Sequence, residues 1–246
     1  MNLIILGCYG PYTPAGGACS GYLLEHEGRY ILLDCGNGVL SKLQYHIKIE
    51  SLDAVFISHL HSDHISDLFI MRYALQMDME LGRRNKPLKL FAPDEPASEF
   101  ERLPYKDVYA VETLYEGMSV DLASLNFTFM KTVHSIDCCA IKVELGAGKT
   151  FLFSGDTVYF PELISFTRNT SLFLCEANYL QEDLVKGAPP NHLSAFQAGE
   201  IAQKAGVQRL LLTHLPPHRE CNMYLAEARM NFPDAALAEE GKVYAI

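Results

Sequence analysis

Three imidazoles and a carboxylate fall within six residues, His59-Leu60-His61-Ser62-Asp63-His64, directly after the apolar run Ala54-Val55-Phe56-Ile57-Ser58. Along extended backbone alternate side chains point the same way, so His59 and His61 can grip one cation, and a following turn can aim Asp63 and His64 at another. Neutral imidazoles with a carboxylate suit zinc, and would also suit manganese or iron. A site for two divalent ions needs more donors, and three further strand ends offer them. Phe127–Lys131 leads to His134, Phe151–Ser154 to Asp156, and Arg209–Thr213 to His214.

Short β-branched and aliphatic runs must position these donors. Besides those named, Leu3–Leu6, Tyr22–Glu25, Tyr30–Leu33, Leu88–Phe91, Ala140–Leu145 and Ser171–Cys175 read as strands. The clearest helix is Ala195–Ala205, with Ser194 and Gln197 spaced as a capping box and Gly206 placed to stop it. A second helix is predicted across Ile65–Glu80. Strands joined by turns early in the chain, and alternating with helices later, predict an α/β or α+β assembly of mixed sheets covered by helices. Arg83–Pro87 and Pro93–Pro104 read as loops, and nothing resembles a linker, so residues 1–246 are expected to form one domain.

With 20 basic and 30 acidic side chains, the net charge is −10. That argues against a protein whose affinity comes mainly from neutralising a nucleic-acid backbone, while leaving room for a short, locally basic cleft. No run approaches the roughly 20 apolar residues of a membrane span, and Met1–Gly7 lacks the features of a signal peptide, so a cytoplasmic location is expected. The seven cysteines form an odd set without a CxxC pair and read as small buried hydrophobes in a reducing compartment.

Taken in order, His59-Leu60-His61-Ser62-Asp63-His64, His134, Ser154-Gly155-Asp156-Thr157 and Thr213-His214 resemble the metallo-β-lactamase superfamily, and most closely its ribonuclease Z branch. Leu32-Leu33-Asp34-Cys35-Gly36 and Leu6-Gly7 resemble that family's early strands, so the likeness spans nearly the whole chain. The resemblance implies a four-layer αββα sandwich with two metal ions at one edge between the sheets. It assigns His59, His61 and His134 to one ion, Asp63, His64 and His214 to the other, and Asp156 to both. Such a pair lowers the pKa of a bridging water and neutralises charge on the substrate. The superfamily's redox members resemble this pattern with a Glu at the second histidine; His61 stands here, which favours hydrolysis. Asp34 is either a hydrogen-bond partner of a ligand imidazole or a cap of the glycine turn.

The resemblance also assigns proton transfer to the leaving oxygen. In the ribonuclease Z branch a Glu in a His-Glu-Ala-Thr segment orients a His in a later His-Ser-Thr segment; Glu176-Ala177 and His192 resemble those positions. A carboxylate that fixes the imidazole's tautomer and raises its pKa makes His192 a candidate general acid. Asp63, His192 and Glu176 are therefore the expected catalytic residues, Asp63 doubling as a ligand. Cys175, Asn178 and Leu193-Ser194 depart from the branch's motifs. Its long tRNA-clamping arm belongs between the residues matching His134 and Asp156, an interval of only 22 positions here, already filled by two strands and the turn Gly146-Ala147-Gly148.

The expected function is a metal-dependent phosphodiesterase acting on a small molecule, such as a cyclic nucleotide or cyclic sugar phosphate. The alternatives are a lactone, thioester or aryl sulfate hydrolase with the same centre and, less favoured, ribonuclease Z-type RNA processing. Tyr9, Tyr12 and Ser20 are expected to line the pocket. No spacing selects a phosphate clamp among Arg29, Lys42, Arg72, Arg83 and Arg84. The expected partner is a small-molecule substrate, with no membrane and with nucleic acid disfavoured, and apolar surface near Ile65–Met79 would suit a homodimer.

Overall fold

A computed structural model describes residues Met1–Ile246. Strands β1 (Asn2–Gly7), β2 (Gly21–His26), β3 (Arg29–Leu33), β4 (Ala54–Phe56), β5 (Leu88–Ala92) and β6 (Tyr109–Thr113) build the first sheet. Strands β7 (Ser119–Leu122), β8 (Leu125–Lys131), β9 (Cys139–Glu144), β10 (Thr150–Phe153), β11 (Leu172–Glu176), β12 (Leu210–Thr213) and β13 (Ala236–Leu237) build the second. The chain then returns to the first sheet, where β14 (Val243–Ala245) pairs antiparallel with β1. Each sheet has seven strands, antiparallel through its early members and parallel beyond β3 or β10.

Both faces of each sheet are buried, which explains why the strands read as continuous apolar runs. Leu3 and Ile5 of β1, Ala54 and Phe56 of β4, and Phe151 and Phe153 of β10 face the core between the sheets. Phe56 stacks there on Phe91 and Phe127 with ring centroids 4.5 Å apart in each case. Their neighbours Ile4, Leu6 and Val55 point the other way, onto a core shared with Met71 and Leu75. On the far side Leu152, Phe173 and Leu212 meet Ala198, Ile201 and Tyr224. Helices α1 (Val39–Leu43), α2 (Ser62–Ile65), α3 (Leu68–Glu80) and α4 (Ala97–Phe100) accompany the first sheet, and α5 (Pro161–Thr167), α6 (Gln181–Val185), α7 (Ala195–Ala205) and α8 (Cys221–Ala228) the second. The result is the four-layer αββα sandwich.

Several local expectations shift. The helix predicted across Ile65–Glu80 is two helices, broken at Ser66-Asp67. The break follows from tethering: the Asp67 amide donates to the Cys35 carbonyl at 3.0 Å, and its carboxylate accepts from the Leu40 amide at 2.8 Å. The strand from Ala54 ends at Phe56, and α4 lies inside the stretch read as a loop. Six cysteines are buried, whereas Cys221 is half-buried, and all seven are free. Ile70, Tyr73 and Met77 are exposed on α3. No helix is long and apolar enough to cross a membrane.

Candidate metal centre

The C-terminal ends of β4, β8, β10, β11 and β12 gather at one edge of the sandwich, because the parallel pairings and the up-down-up path of β8–β9–β10 give these strands a common direction within each sheet. Past β4 the chain passes through His59 and His61 and turns into α2, whose first turn carries Asp63 and His64. His134 follows β8, Asp156 follows β10, Glu176 ends β11 and His214 follows β12.

Two donor groups result. In the first, His61 Nδ1 lies 3.0 Å from His59 Nε2 and 3.1 Å from His134 Nε2. In the second, His214 Nε2 lies 3.1 Å from Asp63 Oδ2 and 3.3 Å from His64 Nε2. Asp156 Oδ2 stands between them, 3.6 Å from both His59 and His64 and 3.5 Å from His214. Donors bound tetrahedrally at zinc-like bond lengths are separated by about 3.3–3.4 Å. The observed spacings fit that geometry.

The surrounding hydrogen bonds direct ring lone pairs inward. His64 Nδ1 lies 2.7 Å from Asp34 Oδ2, His134 Nδ1 lies 2.9 Å from the Asn191 carbonyl oxygen, and His59 Nδ1 lies 3.0 Å from Ser58 Oγ. Ser58 Oγ in turn donates to Asp34 at 3.0 Å. With Nδ1–H donating outward, the Nε2 of each ring is left as an acceptor facing the donor group. Buried Asp34 also accepts from Ser20 Oγ and the Ser58 amide, so it serves as an imidazole partner rather than only a turn cap.

The electrostatics agree with that arrangement. Burial pushes the pKa values of His59 and His61 down, keeping them in the neutral form that metals take. Burial also opposes ionisation of Asp63 and Asp156, yet the facing imidazoles outweigh it and hold both carboxyls below the usual range. At His64 burial is overcome by Asp156, Asp63 and Asp34, which raise its pKa. Two buried carboxylates and the partly buried Asp63 in one spot call for positive charge, and the donor set suits a divalent cation.

Beside the donors, His192 Nδ1 lies 3.1 Å from Glu176 Oε1. Glu176 is fully buried and also accepts from the Thr157 amide at 2.7 Å and the Asn178 amide at 3.3 Å. Burial lowers the pKa of His192, but the charge and hydrogen bond of Glu176, helped by Asp156, raise it to about 9. The imidazole borders a cleft of about 290 Å³ lined with His61, Asp63, His134, Asp156 and His214 and with no hydrophobic residue.

All nine residues singled out in the sequence therefore meet at one place. Of the expected lining residues, Tyr12 borders an adjoining hollow with Pro11 and Asp63, whereas Ser20 is buried in the Asp34 network and Tyr9 makes backbone bridges to Cys19 and Leu215. Four of the five unassigned cations are held elsewhere by polar partners: Arg29 by Asp53, Lys42 by Glu240, Arg83 by Asp78 and Arg84 by backbone carbonyls. Arg72 packs over Tyr105. Unforeseen were Pro11, Ser58, Asn191 and Asn178, whose Nδ2 donates to the carbonyls of His214 and Gly10. Gly10 lies so close to the His214 ring that an added Cβ would fall 2.1 Å from Nε2.

The fold and the histidine–carboxylate edge define a metallo-hydrolase, and residues 29–215 match the Beta-lactamase superfamily domain, so the chain belongs to that superfamily. It is similar to the probable metallo-hydrolase YhfI of Bacillus subtilis, with 34% identity over 88% of this chain and 87% of that protein. The crystal structure of YhfI superposes with a TM-score of 0.94 at 32% identity, covering 99% of this chain and 98% of that one. Ribonuclease Z of Chlamydia pneumoniae is 24% identical over 99% of this chain and 95% of its own length. The short form of human tRNase Z shares the fold, with a TM-score of 0.79 at 19% identity, covering all of this chain and 99% of that one.

Proposed function

We propose that the protein is a phosphodiesterase acting on a small phosphodiester, a cyclic nucleotide or cyclic sugar phosphate, with two divalent ions, zinc first among the candidates. The observation that carries this reading is a proton donor held at the metal edge: His192, fixed at Nδ1 by buried Glu176 and bordering the cleft. His59, His61 and His134 would hold one ion, Asp63, His64 and His214 the other, and Asp156 both. When bound, the ions supply an activated water and charge stabilisation at phosphorus. The protein does the rest. Asp34, Ser58 and the Asn191 carbonyl keep three imidazoles in the required tautomer. Glu176 accepts the Nδ1–H of His192, which leaves Nε2–H free to protonate the departing alkoxide.

Small size is supported by the interval between His134 and Asp156, which β9, its turn and β10 fill without an arm. With a net charge of −10, little remains to hold a long polyanion. The test is steady-state hydrolysis of bis(p-nitrophenyl) phosphate by metal-loaded protein beside the Asp156→Ala variant. Turnover that requires metal and disappears in the variant is expected. Absence of turnover in protein carrying two metals would overturn the phosphodiester reading and turn attention to carbonyl and sulfate esters.

A further inference from the structure

Pro11 is a wall between two hollows. One is the cleft at the metal edge; the other, of about 200 Å³, takes no part in the chemistry above. The second hollow is walled largely by carbon, from Pro11, Pro189, Pro216 and the rings of Tyr179 and Tyr224, with Arg219 on its polar side. Tyr179 packs edge-on against His192, ring centroids 5.5 Å apart at 82°, so the hollow begins beside the proposed proton donor, where a leaving group departs.

Two features point to a ligand. Arg219 is clamped by Asp183 through paired contacts, Nη1 to Oδ2 at 2.5 Å and Nη2 to Oδ1 at 2.7 Å. That clamp fixes the guanidinium plane and neutralises its charge, and the guanidinium also lies beside the Tyr224 hydroxyl. Tyr224 has no exposed surface and lines the hollow, and its hydroxyl, beside the Arg219 guanidinium, has no aligned hydrogen-bond partner. Buried hydroxyls are almost always paired, so an orphan beside a cavity marks a place for a ligand atom.

A second phosphate would meet a cation already neutralised by Asp183, and a sugar would set most of its hydroxyls against proline and tyrosine carbon, with polar side chains only from Asn178, Asp183, His218 and Arg219 beside the tyrosine hydroxyls. A flat ring with acceptor atoms on its edge matches both the walls and the open donors. We propose that this hollow seats a nucleobase, lying between the proline and tyrosine walls with its acceptor edge toward Arg219 and Tyr224. The inference rests on the phosphodiester reading and narrows it to nucleotide substrates, over cyclic sugar phosphates without a base.

Two measurements test it on metal-loaded protein. Saturation-transfer NMR with adenosine, which carries no phosphate, reads the hollow directly: transfer to the base protons is expected, weakened about tenfold in affinity by Tyr224→Phe, which removes one hydroxyl, and lost in Tyr179→Leu. In kinetics, Tyr224→Phe and Arg219→Lys should raise KM for 3′,5′-cyclic AMP about tenfold relative to KM for methyl p-nitrophenyl phosphate, which lacks a base. Equal shifts for both substrates, or no transfer to adenosine in the wild type, would overturn the base site. Adenosine bound without any phosphodiester turnover would leave the base site standing and remove the phosphodiesterase reading. Turnover without adenosine binding would do the reverse.

Discussion

His192 is protonated below about pH 9 because the Glu176 charge outweighs the burial that pulls its pKa down. A general acid works only while it carries its proton, so kcat/KM is expected to fall as pH rises through that value. Glu176→Gln removes the raising influence and leaves the burial, so the alkaline limb should move to lower pH; an unmoved limb would detach it from His192. In His192→Ala turnover should drop on the order of 10²–10⁴-fold with metal content unchanged, read by kinetics beside elemental analysis. Asp34→Asn keeps the shape but weakens the hold on His64 and Ser58, and a 10- to 100-fold loss of metal affinity is expected in chelator competition. The metal donors were legible in the sequence because four of them crowd into six residues and the others follow apolar runs. Their supports were not. Asn191 acts through its backbone carbonyl and Ser58 through a single hydroxyl, and neither residue type advertises such a role.

At the scale of elements, the sheet interiors were readable because both faces of β1, β4, β10 and β11 are apolar. The edges were not: in β6 only Tyr109 is buried, and exposed Ala110 and Glu112 alternate with half-buried Val111 and Thr113, while β13 and β14 are only 2 and 3 residues long. Capping chemistry made α7 legible to the residue, since Ser194 and Gln197 bond reciprocally and Gly206 takes a left-handed conformation. No such local signal marks the Ser66-Asp67 break, which is set by contacts to Cys35 and Leu40 more than 25 residues away. The loop after β1 shows how tightly the elements are fitted around the donors. Gly10→Ala would drive a methyl group into the His214 ring, and His214 is already in the left-handed region at φ 57°. That variant is expected to lose metal and melt at a lower temperature, by parallel metal analysis and thermal scans. Full metal content at the wild-type Tm would show that the loop yields easily.

Across the whole molecule, the donors come from both sheets, between His59 and His214, and gather the buried carboxylates Asp34 and Asp156 and the partly buried Asp63. Removing metal should therefore weaken the sandwich itself as well as its activity. A ligand at 100 times its Kd adds about 2.7 kcal/mol of apparent stability, so chelated protein should melt measurably lower and recover on readdition of zinc. An unchanged melting curve would mean that the polar edge holds itself together without the ions. A hydrogen bond of 2.7 Å between the hydroxyls of Tyr22 on β2 and Thr213 on β12 joins the sheets through the interior, and Ser20 continues it to Asp34. The order of assembly follows from this seam. Early in folding the chain can offer each cation only the two donors of the 59–64 segment, His59 and His61 to one and Asp63 and His64 to the other, because His134, Asp156 and His214 arrive with the second sheet. Capture of the ions thus belongs after the transition state, and zinc should slow unfolding while leaving the refolding rate almost unchanged.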